Sequence, residues 1–253
     1  MNYDKQSYKF ILQQAIKHGF EFVDFFTVNL EGNKRKQIIL RHDIDYSIPL
    51  AYEMAEIDAT YKIKSTFALL LSSPLYNPFT STNIKLVNQI HELGHNIVLH
   101  HYVVQGQGEW GIAVNIVKEM QVMKVYFPFI QPVFVWHNLP PNKLQGDIKV
   151  PDMINAYSTN YIERMHYISE SVLRNKPENF LAALEKQRLI YMLLHPIIWM
   201  SEKDNMVSMM SHVLTQIIRE CDKEFAFNGA WKESFPEGIT QETLNSLLRE
   251  NDD

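Results

Sequence analysis

The chain has 253 residues, a formal charge of −5 and a pI near 6.1, with no Lys/Arg-rich run, so it carries no electrostatic footprint for nucleic acid. Hydrophobic residues make up 46% and aromatic residues 12%, enough for a sizeable core, which excludes an intrinsically disordered chain. A single cysteine, Cys221, excludes an intramolecular disulfide and fits a reducing cytosol, and no run of apolar residues is long enough for a membrane span.

The first segment places Tyr8, Ile11, Leu12 and Ile16 at helical spacing and stops at Gly19, which predicts an amphipathic helix over residues 5–18. Its charged and polar interruptions leave no apolar core for a signal peptide, so a cytoplasmic protein is expected. Short apolar runs then alternate with helical stretches. The runs are QIILRHD (37–43), STFALLL (65–71), HNIVLHH (95–101), PVFVWH (132–137) and IYMLLHP (190–196), with weaker candidates at INAYS (154–158) and MHYIS (165–169). Between them lie helix-like segments at 48–61, 83–94, 111–126 and 177–187. Runs that are apolar on both faces and separated by helices indicate an α/β fold with a mostly parallel sheet. No linker divides the chain. We expect one domain over residues 1–253, with a core at about 5–200 and a C-terminal helical extension from about 203.

Four of the runs end in a group able to ligate a metal or move a proton: Asp43 with Asp45, His100, His137 and His195. Strand C-termini of a parallel sheet share one rim, so residues far apart in sequence converge there. Side chains alternate along a strand, which puts Arg41, Asp43 and Asp45 on one face and His42 and Ile44 on the other. Two carboxylates on one face can divide labour, one ligating a cation while the other takes a proton from water. Each strand end has an ordinary explanation singly: a helix cap, an ion pair to Arg41, a core histidine. Four such coincidences together favour a site. Aspartate with histidines suits a divalent cation, Zn²⁺ first, with Co²⁺, Ni²⁺ or Mn²⁺ as alternatives. His18, His91, His95, His166 and His212 read as surface or packing residues.

RHDIDYS (41–47), ATYKIKSTFALL (59–70), GHNIVLHHY (94–102), HYISES (166–171) and MLLHPIIW (192–199) resemble, in order and spacing, the motifs of the polysaccharide deacetylase (NodB-homology) family, in its HDxD branch. The resemblance covers roughly residues 5–200. It implies a distorted (β/α) barrel of about seven parallel strands. It also implies Asp43 as catalytic base, Asp45 and His100 as metal ligands, His195 as catalytic acid, and Glu170 where the family has an aspartate. Two departures stand out. The family's second metal histidine would fall at Val104, and the arginine of its Arg-x-Pro-Tyr motif is missing. His137 is the nearest replacement ligand, and Arg41, by parity, could take over the orienting of Asp43. Tyr46, Tyr102 and Trp199 lie beside these groups, each either a sugar-stacking residue or part of the core.

The activity implied is metal-dependent hydrolysis of an N-acetyl or O-acetyl group on an amino sugar, a soluble precursor in surface-polysaccharide assembly. Alternatives are a related domain that binds without catalysis, and hydrolysis of another amide or a formyl group.

Overall fold

The computed structural model describes residues 2–31, 35–103, 108–137, 147–170, 173, 177–240 and 242–243. By contacts the chain divides into two compact units, Met1–Asp204 and Asn205–Asp253.

Among the described residues the first unit holds eight parallel strands: β1 (Phe20–Val23), β2 (Lys36–Ile44), β3 (Thr66–Leu70), β4 (Asn96–Tyr102), β5 (Val133–His137), β6 (Ile154–Asn155), β7 (His166–Ser169) and β8 (Leu189–Leu194). Seven follow the path β6-β5-β4-β3-β2-β8-β7, a curled half-barrel. β2 is central. β8 occupies one of its edges, with Gln37↔Leu189 through His42↔Leu194 in register. The other edge is shared, β1 pairing with residues 36–39 and β3 with 41–44. The short FEFV strand was hidden at sequence level because it directly follows the predicted first helix.

The helices form where their caps and apolar positions direct. Helix α1 (Lys5–Lys17) starts on the Asp4 carboxylate, which accepts the Ser7 N–H at 2.6 Å. It ends at Gly19, whose φ of +78° is a conformation that L side chains rarely adopt. Helices α2 (Ile48–Thr60) and α3 (Ser81–Glu92) start on Ser47 and Thr80. They are followed by α4 (Glu109–Tyr126), α5 (Thr159–Ile162), α6 (Pro177–Lys186) and α7 (Pro196–Met200).

Strand alternation sorts the core into two layers. Ile39, Ala68, Val98, Val133, Val135 and Tyr191 point into the concave side of the sheet, where they pack with Phe25, Tyr161 and Met165. Their neighbours, such as Ile38, Leu40, Phe67, Leu99 and Leu194, are buried as well. Burial on both faces is why these strands read as continuous apolar runs.

In the second unit α8 (Met206–Phe225) is capped by Asn205, whose side chain accepts the Ser208 N–H at 3.0 Å. It is followed by α9 (Gly229–Ser234), where Trp231 stacks on Phe225 at 5.1 Å and donates to Asp222 at 2.9 Å. The helical tail expected from about residue 203 lies here. No helix among the described residues is long and apolar enough to cross a membrane.

Candidate metal and acid–base site

All eight strands run the same way, so their C-termini open on one rim, and five chemistry-bearing side chains meet there. Asp45 is the hub. Its Oδ1 lies 3.0 Å from His100 Nε2 and 3.2 Å from His137 Nδ1, and the two histidine nitrogens are 3.3 Å apart. His195 Nε2 stands 3.6 Å from Asp45 Oδ2. Register explains the histidine pair: on adjacent strands Tyr102 is paired with His137 and His100 with Val135, so all three side chains line one surface. Burial favours the neutral acid of Asp45, but hydrogen bonds from His100 and His137 and nearby charge hold its pKa well below the ordinary carboxylate range.

These donors fit a small divalent cation. Ligands at about 2.0–2.1 Å in a tetrahedral set are separated by roughly 3.3 Å, close to the spacing of the three atoms here. His100 Nδ1 faces the Val135 carbonyl at 3.3 Å, and a donor there would let a cation replace the Nε2 proton that otherwise goes to Asp45. Asp45, His100 and His137 form the one group of three or more candidate ligands found among the described residues. Val104 lies outside those residues.

Asp43 sits beside this set with a separate partner. Arg41, fully buried, donates from Nη2 to Asp43 Oδ2 at 3.0 Å, while Nε faces Oδ1 at 2.9 Å. This second contact is an ion pair whose angle is too bent for a hydrogen bond. The guanidinium also donates to the hydroxyls of Tyr191 and Tyr157, the latter at 2.7 Å. It lies over both rings, 4.6 Å from the centroid of Tyr157 and 5.2 Å from that of Tyr191. Burial opposes its charge, but Asp43 and the tyrosine oxygens outweigh it and the Arg41 pKa rises. Parity along β2 brings Arg41 to Asp43. Tyr191 obeys the same alternation on β8 and could have been found by it. Tyr157, after the two-residue β6, had no such signal.

His195 is oriented from behind. Glu170, at the end of β7, accepts the backbone N–H of His195 and lies 3.1 Å from its Nδ1, which turns Nε2 towards Asp45. Burial lowers the His195 pKa, yet the hydrogen bond and charge of Glu170, with Asp43 and Asp45 adding to it, carry it up to about 9. The imidazole is therefore a proton donor at neutral pH. The longer glutamate still reaches the histidine.

The aromatic candidates separate. Tyr102, 47% exposed, stacks on the His137 ring at 5.2 Å. Tyr46 is half-buried and feels the charge of Asp45, its pKa raised first by burial and then by that carboxylate. Trp199 is corrected: it is fully buried against Tyr3 and Tyr8, at 5.1 and 5.9 Å, and offers no face to a sugar. The short helix after His195 turns its indole towards α1.

Fold and site together define a parallel (β/α) half-barrel with an Asp-His-His set on its rim and Asp43 and His195 beside it. No protein-family model and no curated protein sequence matches the chain. Solved structures with a similar fold include polysaccharide deacetylase relatives, the group that the motifs resemble. One is a CE4-family pseudoenzyme from Bacillus anthracis, at 12% identity, covering 73% of this chain and 63% of that one, with a TM-score of 0.42. Another is IcaB from Ammonifex degensii, at 15% identity, 54% and 68% coverage and a TM-score of 0.41. A third is the chitin deacetylase of Colletotrichum lindemuthianum, at 12% identity, 73% and 84% coverage and a TM-score of 0.42. This chain thus spans a little under two thirds of the Bacillus anthracis protein. At such identities and TM-scores the likeness carries no statement about activity.

Proposed function

We propose that the protein is a metal-dependent hydrolase that removes an acetyl group from an amino sugar. The observation that carries this reading is the meeting of Asp45, His100 and His137 at 3.0–3.3 Å, beside a separately partnered Asp43 and a His195 oriented by Glu170. A divalent cation held by Asp45, His100 and His137, with Zn²⁺ the first choice for this donor set, would supply a polarised acetyl carbonyl and an acidified water. Asp43 is the base. Arg41 occupies part of its lone-pair capacity and leaves the rest to take a proton from water. His195 is the acid that protonates the departing amine through Nε2, with Glu170 holding Nδ1. Tyr102, exposed beside His137, supplies an aromatic surface for the sugar ring. A soluble precursor of a surface polysaccharide is the substrate we favour, in a cytosol consistent with the lone Cys221.

Metal content of the purified protein and of Asp45→Ala and His137→Ala variants tests the ligand set. One equivalent in the parent, lost in both variants, is expected. Retention in His137→Ala would remove His137 from the set. Acetate release from a panel of N-acetylated sugars and sugar nucleotides tests the reaction. Full metal occupancy with no turnover across the panel would favour the binding-domain alternative.

A further inference from the structure

The metal carboxylate stands just past the end of the sheet. The β2/β8 ladder stops at His42↔Leu194 and the β2/β3 ladder at Ile44↔Leu69, so Asp45 has no strand partner on either side. A side chain at such a place has the freedom of a loop, whereas a ligand constellation must be held to about 0.5 Å.

Two hydroxyls from the segment after β3 take over where the ladder ends. The Tyr76 hydroxyl donates to the Ile44 carbonyl at 2.6 Å and accepts the Leu70 N–H at 3.1 Å. It thus bridges a carbonyl of β2 and an amide of β3 at the last register pair of the two strands. Ser73 Oγ donates to the Asp45 carbonyl at 3.3 Å and accepts the Leu75 N–H at 3.1 Å. Successive carbonyls, 44 and 45, are therefore both taken by side chains of one short segment. The bridge also reaches the second ligand, because Leu70 is the register partner of His100 on β4. One phenol oxygen connects the peptide before Asp45 to β3 at Leu70, the residue paired with His100 of β4.

We propose that Tyr76 and Ser73 form a hydroxyl bracket that fixes the Asp45 carboxylate against His100 and His137, which makes both of them positioning residues for the cation site. This rests on the metal reading of those three side chains. The bracket acts through the backbone of residues 44 and 45, and its loss loosens the ligand set while leaving every ligand present.

Tyr76→Phe removes one oxygen and keeps the ring. In this variant zinc affinity, measured by competition with a chromophoric chelator, should fall about tenfold, the lower end for losing a partner that orients a ligand. The visible spectrum of the Co²⁺ form should change in intensity while far-UV circular dichroism stays the same. Ser73→Ala should move the same readouts in the same direction by a smaller factor, and it carries the test if Tyr76→Phe fails to fold. A lower unfolding midpoint with unchanged zinc affinity and an unchanged cobalt spectrum would overturn the proposal and leave Tyr76 as a packing residue.

If the parent protein binds neither zinc nor cobalt, the metal reading fails by itself, and the bracket is judged in the metal-free protein by NMR. There Tyr76→Phe should speed Leu70 amide exchange about tenfold and shift the ring signals of His100 and His137. Unchanged ring signals would overturn it.

Discussion

Arg41 shows how much one buried side chain can be asked to do. It is fully buried, and its charge is met by Asp43, two tyrosine hydroxyls and two aromatic faces. Removing one member of a buried ion pair leaves the other uncompensated, so Arg41→Ala should destabilise the fold by about 3–5 kcal/mol in urea unfolding. Arg41→Lys keeps a charge but loses the planar fork that meets both oxygens of Asp43. It should fold, and under the proposed function kcat for acetate release should fall about 10–100-fold with KM little changed, since Asp43 would be misaimed while the proposed sugar contacts remain. A second residue-scale case lies at the end of β1. Burial raises the pKa of Asp24, but hydrogen bonds from Thr27, Lys64 and Asn96, with the charge of Lys64, bring it from 3.8 down to about 2. A depressed carboxylate stabilises the fold above its unfolded value and loses that contribution as pH falls through the folded one. Asp24→Asn should therefore cost about 1 kcal/mol at pH 7, with Lys64 half exposed to screening solvent, and the gap should close between about pH 4 and pH 2. Urea unfolding of both proteins across that range measures it.

At the scale of elements, β2 is gripped from both faces. On the concave face Arg41 reaches Asp43. On the other, His42 Nε2 lies 3.0 Å from Asp58 Oδ2 of α2. Asp58 also accepts from Tyr8 of α1 and from Ser65, before β3, at 2.6 Å. Ser65 donates its N–H to His95 Nδ1 at 3.2 Å, which leaves His95 Nε2–H for the Ala55 carbonyl at 3.0 Å. Burial lowers the His95 pKa, in keeping with this neutral tautomer. The five side chains are each at most 1% exposed and tie α1, α2, β2, β3 and β4 together. Asp58→Ala would strand the donors of Tyr8, His42 and Ser65 without water to replace the carboxylate. We expect a loss of about 3 kcal/mol or more in chemical unfolding, and a smaller loss for Asp58→Asn, which keeps one acceptor. At sequence level His95 read as a surface or packing residue, and it lies in the packed interior. The network itself was not legible, because its members come from three elements and from the residues just before β3 and β4, and share no period.

For the molecule as a whole, a ligand set assembled from three strands should couple metal binding to folding. At a free zinc concentration of about 100 times Kd, binding to the native state alone stabilises by about 2.7 kcal/mol. Chelation should therefore lower the unfolding midpoint, added zinc should restore it, and Asp45→Ala should abolish the difference; differential scanning calorimetry reads all three. The α/β class, the parallel sheet and the positions of its main strands were legible in the sequence, because strands buried on both faces read as apolar runs, with polar groups gathered towards their C-terminal ends. The parity that put Arg41 with Asp43 was legible for a similar reason, since alternation is a property of an extended backbone by itself. Tertiary structure alone decided the rest. It brought His137 to His100 through the register of β4 and β5, turned Trp199 into the core, and closed the end of β2 with Tyr76 and Ser73. Those contacts depend on which elements become neighbours and how far each is shifted along the other, and no local pattern encodes either.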